Sequence, residues 1–147
     1  MTTEAATNVE NKSNLERSDW VKLGFIAAAV SIVAVLVVQT VAIAIWPEIA
    51  LFKPLDSYIR TVIFTLVPVV VATVLFAWLA NHTARPVKTF ITISAVVLVI
   101  SFIPDYILPF PEKTILASSV AAFLHIIAGV STVSILVIGY QRRVAQM

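Results

Sequence analysis

Four long runs of apolar residues, divided by short segments that carry charges and prolines, dominate the chain. They predict helices over residues 22–46, 58–81, 87–105 and 114–140. A helix needs about 20 mostly apolar residues to cross a bilayer. None of the runs alternates apolar and polar positions as a barrel strand does, and in lipid only helices and closed barrels bond all their backbone groups. The pattern therefore predicts an all-α, integral membrane four-helix bundle.

A polar segment lies on each side of the predicted helix bundle. Residues 1–19 are rich in Thr, Asn, Glu and Ser, which predicts a disordered tail, and residues 142–147 form a second short tail. The transmembrane domain is expected over residues 20–141. We interpret its first run as a true span, because it exceeds the roughly 7–15 residue core of a signal peptide and no small-residue cleavage pattern follows.

Composition supports the membrane class and excludes several others. Of the 147 residues, 60% are hydrophobic and 12% are charged, against roughly 25% charged in soluble domains. The chain has no cysteine, which excludes disulfides and thiol chemistry, and a net charge of +2 does not indicate nucleic-acid binding. The expected partners are the lipid bilayer and either a second copy of the chain or another membrane protein.

The placement of basic residues predicts the orientation. Seven Lys and Arg residues fall on the side of the two termini and three on the other side. Cytoplasmic segments carry the excess of Lys and Arg, so both termini are expected in the cytoplasm and the protein in the cell (plasma) membrane. All Trp and Tyr residues fall near predicted span ends, as expected of rings in the headgroup region.

Four polar residues lie at similar predicted depths inside the spans and form a candidate polar cluster: Gln39, Thr65, Ser94 and His125. An ionisable residue in a membrane is a functional hypothesis by default. His125 is interpreted either as a hydrogen-bonded residue that fixes helix register, bound to Gln39 or to a Ser or Thr, or as a proton relay or substrate contact. We favour the structural interpretation.

Two helix faces of small and polar residues are predicted to pack together, since their members recur every three or four positions. The face in the fourth span comprises Ser118, Ala122, His125, Gly129 and Thr132, and the face in the first span comprises Gly24, Ala28, Ser31, Val35, Gln39 and Ala42.

The loops supply the remaining candidates. Arg60 is expected to form an outer ion pair with Asp56 or Asp105. The two outer loops each begin with Pro and an acid and are predicted to lie in the membrane interface; we favour convergent composition over a repeated hairpin. The turn 83–88, "TARPVK", is interpreted as a topology determinant, with an anionic-lipid site as the alternative.

Several chemistries lack their residues. No acid occurs between Asp19 and Glu48, where a small four-span antiporter needs a carboxylate, and His82 lies too far from His125 to share a haem. We therefore expect no enzyme, and no catalytic, metal or cofactor site.

Short motifs resemble those of a known family. Thr83, Arg85 and Pro86 after the second span, the segment 100–104 closing the third and His125 within the fourth are similar to an uncharacterised family of small bacterial membrane proteins. That family is common in actinobacteria and catalogued as a domain of unknown function. The resemblance implies that Arg85, Pro86, Pro104 and His125 recur in it, and it implies no activity.

These observations favour a non-catalytic membrane protein, either a partner subunit or a small homo-oligomer. The alternative is a small carrier or channel that uses the polar layer around His125.

Overall fold

The structure, a computed structural model, describes residues 15–109 and 111–147, where it contains helices and no strand. The long helices are α1 (Arg17–Ile45), α2 (Tyr58–His82), α3 (Pro86–Ser101) and, after a short α4 (Ile103–Ile107), α5 (Ile115–Val144). Four segments are long and apolar enough to cross a membrane, with α3 and α4 together forming the third. The all-α fold and the membrane class are thus confirmed.

The helix boundaries differ from the predictions at three places. Helix α1 begins at Arg17, so the last residues of the predicted tail are helical, while residues 1–14 of that tail lie outside the described residues. Helix α5 extends to Val144, beyond the expected end of the domain. The third span divides after Ser101, because Pro104 has no N–H to bond the Ile100 carbonyl and its ring crowds that carbonyl, which interrupts the helix one turn before the proline.

Helices α1 and α5 form the centre of the bundle, α2 packs on α1, and α3 lies at the periphery against α2 and α5. Helix α3 buries only Phe90 over its whole length. Where α1 meets α5, a Cβ atom on Gly139 would overlap the end of the Leu23 side chain, which would have to shift to make room.

We call the end of the bundle that holds Arg17 and Val144 the terminal end. Its core is aromatic: Phe76 stacks on Phe90 at 4.4 Å between ring centroids and meets Trp20 edge-on at 5.4 Å. Trp20 is only 8% exposed, so its ring belongs to the protein core at this end, and its predicted level among the headgroups stays a prediction.

We call the opposite end, where α1 leads into α2, the loop end. The connection forms two short 3-10 helices, Pro47–Leu51 and Lys53–Leu55. Three of its side chains are buried in the core: Ile49, Phe52 and Leu55, at 1%, 0% and 3% exposure. The loop thus closes the bundle as an apolar plug, which we call the first loop plug. Its predicted place in the membrane interface stays a prediction.

Candidate functional site

A carboxylate and an imidazole meet at the loop end. Asp105 in α4 places Oδ2 3.1 Å from Nδ1 of His125 in α5. The same residue is held by its backbone, whose carbonyl accepts a hydrogen bond of 2.7 Å from Ser118 Oγ. Asp105 is only 5% exposed. A buried acid and a histidine thus form an ionisable pair within the apolar part of the chain.

Asp105 Oδ2 and His125 Nδ1 are each other's nearest polar partners. Both Asp105 Oδ2 and His125 Nδ1 are buried, and neither has an aligned hydrogen-bond partner among the described residues. At 3.1 Å they are within ion-pair distance but are not aligned as a hydrogen bond. Because the outer torsion of a His or Asp side chain is broad, a rotation that aligns them costs little.

The unequal lengths of α3 and α5 bring the pair together. Helix α3 has 16 residues and α5 has 30, which at 1.5 Å per residue correspond to about 24 and 45 Å. Since α3 ends early, α4 packs beside the first turns of α5 instead of above them. Asp105 therefore lies alongside Ser118 and reaches His125, which is two turns further into the helix.

The sequence analysis missed this pair and named Asp105 only as an alternative to Asp56 in the ion pair of Arg60. Arg60 forms its ion pair with Asp56 at 2.5 Å and also donates to the carbonyl of Lys53. Asp105 lies beside His125 instead. The available signal was the third apolar run, which is the shortest and is followed at once by Pro104 and Asp105.

The outer part of the His125 ring remains accessible. Its side chain is 42% exposed, and Nε2 makes no hydrogen bond with the part of the chain that the structure describes. The next residue along the helix, Ile126, is 38% exposed. The imidazole therefore faces Asp105 with Nδ1 and presents Nε2 to the surroundings of the bundle.

The four residues of the candidate polar cluster occupy separate environments. Gln39 is 1% exposed and donates to the carbonyl of Leu55 at 3.1 Å, while its Oε1 is buried without a partner among the described residues. Thr65 is buried and Ser94 is half-buried. No hydrogen bond joins any two of the four within the described ranges, and the expected bond from His125 to Gln39 is replaced by the contact with Asp105.

The two predicted small-residue faces do meet. Ser31 of α1 and Thr132 of α5, one from each face, share a hydrogen bond of 2.9 Å between their hydroxyls, and both are buried. This bond fixes the register of the two central helices near the middle of the bundle.

Two open depressions lie on the surface, and neither is lined by a residue of the candidate polar cluster. One lies between α3 and α5 at the terminal end, and the other follows residues 36–41 of α1. Across residues 15–109 and 111–147, no three His, Asp or Glu side chains converge as a metal site requires.

Comparison with curated proteins and with solved structures finds no match to this chain. A family of unknown function, DUF6069, matches residues 15–145, which include all the helices described above. The expected prevalence among actinobacteria stays a prediction. A small four-span membrane protein with an Asp–His pair at its loop end, the chain belongs to this family of unknown function.

Proposed function

We propose that the protein is a non-catalytic subunit of the cell membrane, with both termini in the cytoplasm, that associates with another transmembrane helix through the surface around His125. The observation that carries the proposal is the exposed Nε2 of an imidazole whose other nitrogen faces a buried carboxylate. The apolar length of all four spans supports the membrane setting.

An imidazole on the outside of a membrane bundle requires a partner. His125 lies ten residues into α5, or about 15 Å along the helix, where lipid chains offer no hydrogen bonds. A polar group left unbonded in such a medium costs several kcal/mol. Hydrogen bonds between transmembrane helices contribute about 0.6–2 kcal/mol each, so a neighbouring helix with a polar side chain gains from covering this position.

The chemistry of the pair limits the partner group. If the ring rotates so that Nδ1–H meets the Asp105 carboxylate, Nε2 of the neutral ring is an acceptor, and Nε2 of the charged ring is a donor. A hydroxyl or a carboxamide can serve both states. The expected partner surface is therefore a helix face of small residues that includes a Ser, Thr, Asn or Gln. Faces of this type already pack together between α1 and α5.

Cysteine cross-linking in native membranes tests the association, because the chain has no cysteine of its own. Ile126→Cys places a thiol beside the exposed imidazole edge, and Val33→Cys, 60% exposed on α1, is the matched control. A short bifunctional thiol reagent traps homo-oligomers directly, and a thiol–amine reagent traps a different protein. We expect a larger species with Ile126→Cys, less of it when His125→Leu is added, and none with Val33→Cys.

Equal cross-linking at both positions, or none at either, would contradict association through this surface. The added His125→Leu is needed because random collision would trap neighbours without regard to the imidazole.

A small carrier or channel is the second candidate, favoured by the presence of two ionisable side chains in contact inside the apolar region. This function requires water to reach the pair. In proteoliposomes, a proton or solute flux that is lost in Asp105→Asn and kept in the matched Glu48→Gln would support it. Absence of flux in the parent protein, together with cross-linking at Ile126, would leave association as the function.

A further inference from the structure

A groove opens at the terminal end of the bundle, between the first turns of α3 and the last turns of α5. Its volume is about 570 Å³, and its wall includes Arg85, Val87, Lys88, Ile91 and Tyr140. We propose that this groove binds one anionic phospholipid, with the phosphate held by Arg85 and Lys88 and an acyl chain along Val87 and Ile91. This site is independent of the association at His125, which lies toward the other end.

The charge of the groove is complementary to a phosphate. Arg85 and Lys88 are exposed, and within the described residues neither side chain forms an ion pair or a hydrogen bond. None of the residues that line the groove is acidic. By contrast, Arg143 at the same end binds Asp19. No described residue compensates the two groove cations, which leaves them available to an external anion.

The backbone adds donors at the same place. Helix α3 starts at Pro86 without a side-chain cap, and its first backbone bond runs from Thr89 N–H to the Arg85 carbonyl at 3.1 Å. The N–H groups of Val87 and Lys88 therefore lack an acceptor within the helix. Such groups, together with the positive end of the helix dipole, favour an anion beside the two cationic side chains.

Aromatic stacking holds both walls of the groove in place. Tyr140 on the α5 side stacks on Trp20 at 5.8 Å and lies 5.2 Å from Phe76. On the α3 side, Phe90 stacks on the same Phe76 ring at 4.4 Å. A preformed site loses less conformational freedom when it binds. Tyr140 lines the groove, and its hydroxyl, without a partner among the described residues, can donate to an ester or phosphate oxygen of a bound lipid.

The order of residues along the groove selects a phospholipid over a soluble anion. The cations stand at the start of α3, and Ile91, 46% exposed, lies about one turn further along the span. Polar and apolar parts thus follow each other as headgroup and acyl chain do in a lipid. A free phosphate would use the cations and leave the apolar part of the groove empty.

Native mass spectrometry of the purified protein, released from nanodiscs of phosphatidylcholine with a minor fraction of phosphatidylglycerol, tests the proposal. We expect the parent to retain phosphatidylglycerol selectively. A Lys or Arg near an anionic lipid surface contributes roughly fivefold in affinity, so Arg85→Gln with Lys88→Gln is expected to weaken retention about thirtyfold. The matched control, Lys22→Gln with Arg142→Gln, removes two exposed cations at the same end outside the groove and should leave retention unchanged.

A second variant separates the groove from surface charge. Ile91→Trp fills the apolar part while keeping both cations, and we expect it to lose retention as well. Melting temperatures in pure phosphatidylcholine equal to that of the parent show that the variants are folded. The proposal is overturned if the control pair loses as much as the groove pair, if Ile91→Trp retains the lipid, or if inorganic phosphate displaces it.

Discussion

The two connections at the loop end begin alike and are held in opposite ways. Each starts with proline and an acid, Pro47-Glu48 in the first and Pro104-Asp105 in the second. In the first, Glu48 is exposed and the apolar side chain of Phe52 is fully buried. In the second, Asp105 is buried, while Ile107 is 71% exposed. One loop is anchored by its apolar side chains and the other by its acid.

The difference follows from where each connection meets the bundle. Helices α1 and α2 are long enough for the first connection to fold over their ends, where an apolar side chain fills the space between them. The second follows the short α3 and runs beside α5, so that its polar groups meet Ser118 and His125. Similar composition in two loops therefore does not indicate a repeated structure or a shared role.

The largest expected effect comes from the first loop plug. Phe52→Ala should lower the free energy of unfolding by about 3–5 kcal/mol, because the ring is fully buried and leaves a cavity. The counterpart in the second loop, Ile107→Ala, should change it by less than about 0.5 kcal/mol, as expected of an exposed position. Unfolding in mild detergent, followed by circular dichroism, measures both. Equal losses would remove the contrast between the loops.

The next largest effect concerns the acids of the two loops, where we expect the second loop to be the more sensitive to substitution. Asp105→Asn should cost about 1–2 kcal/mol, since it weakens the contact with His125 while keeping the size of the side chain. The equivalent change at the exposed acid of the first loop, Glu48→Gln, should have no measurable effect. Repeating Asp105→Asn in a His125→Leu background gives the coupling between the pair. A loss of the same size in that background would mean that the two side chains do not interact.

The smallest of the three effects concerns the polar bond of the first loop. Gln39→Leu should cost about 1 kcal/mol, because it leaves the Leu55 carbonyl without its donor but also removes the unpartnered Oε1. The neighbouring Thr40→Val is the control, since Thr40 bonds only within its own helix. The same unfolding measurement applies. A gain in stability would show that the buried carboxamide is a net cost to the bundle.

The spans of this fold could be predicted from the sequence because hydropathy and helical periodicity are local properties. The spacing of Ser31 on α1 and Thr132 on α5 placed both on the small-residue faces that meet. The contact of Asp105 with His125 was not predictable in the same way. It depends on the depth at which one connection runs beside a neighbouring helix, which the short third run indicates only when its length is compared with that of the fourth.

For a related reason, the sequence did not decide whether aromatic residues near span ends contact lipid headgroups or the protein core. Trp20 and Phe52 are aromatic and lie near span ends, as headgroup anchors do, but both side chains are buried against the rest of the protein. A ring at that level of the membrane gains from either setting, and the choice depends on whether a neighbouring helix offers space. The sequence of a single span does not contain that information.

The unequal helices also affect the surrounding bilayer. A hydrocarbon layer is about 30 Å thick, so the roughly 24 Å of α3 crosses it only together with α4, while the roughly 45 Å of α5 exceeds it. The third span thus matches the layer across a break between two helices, whereas α5 matches it by tilting. A bilayer of a different thickness therefore bends the third span at the α3–α4 break and changes the tilt of α5.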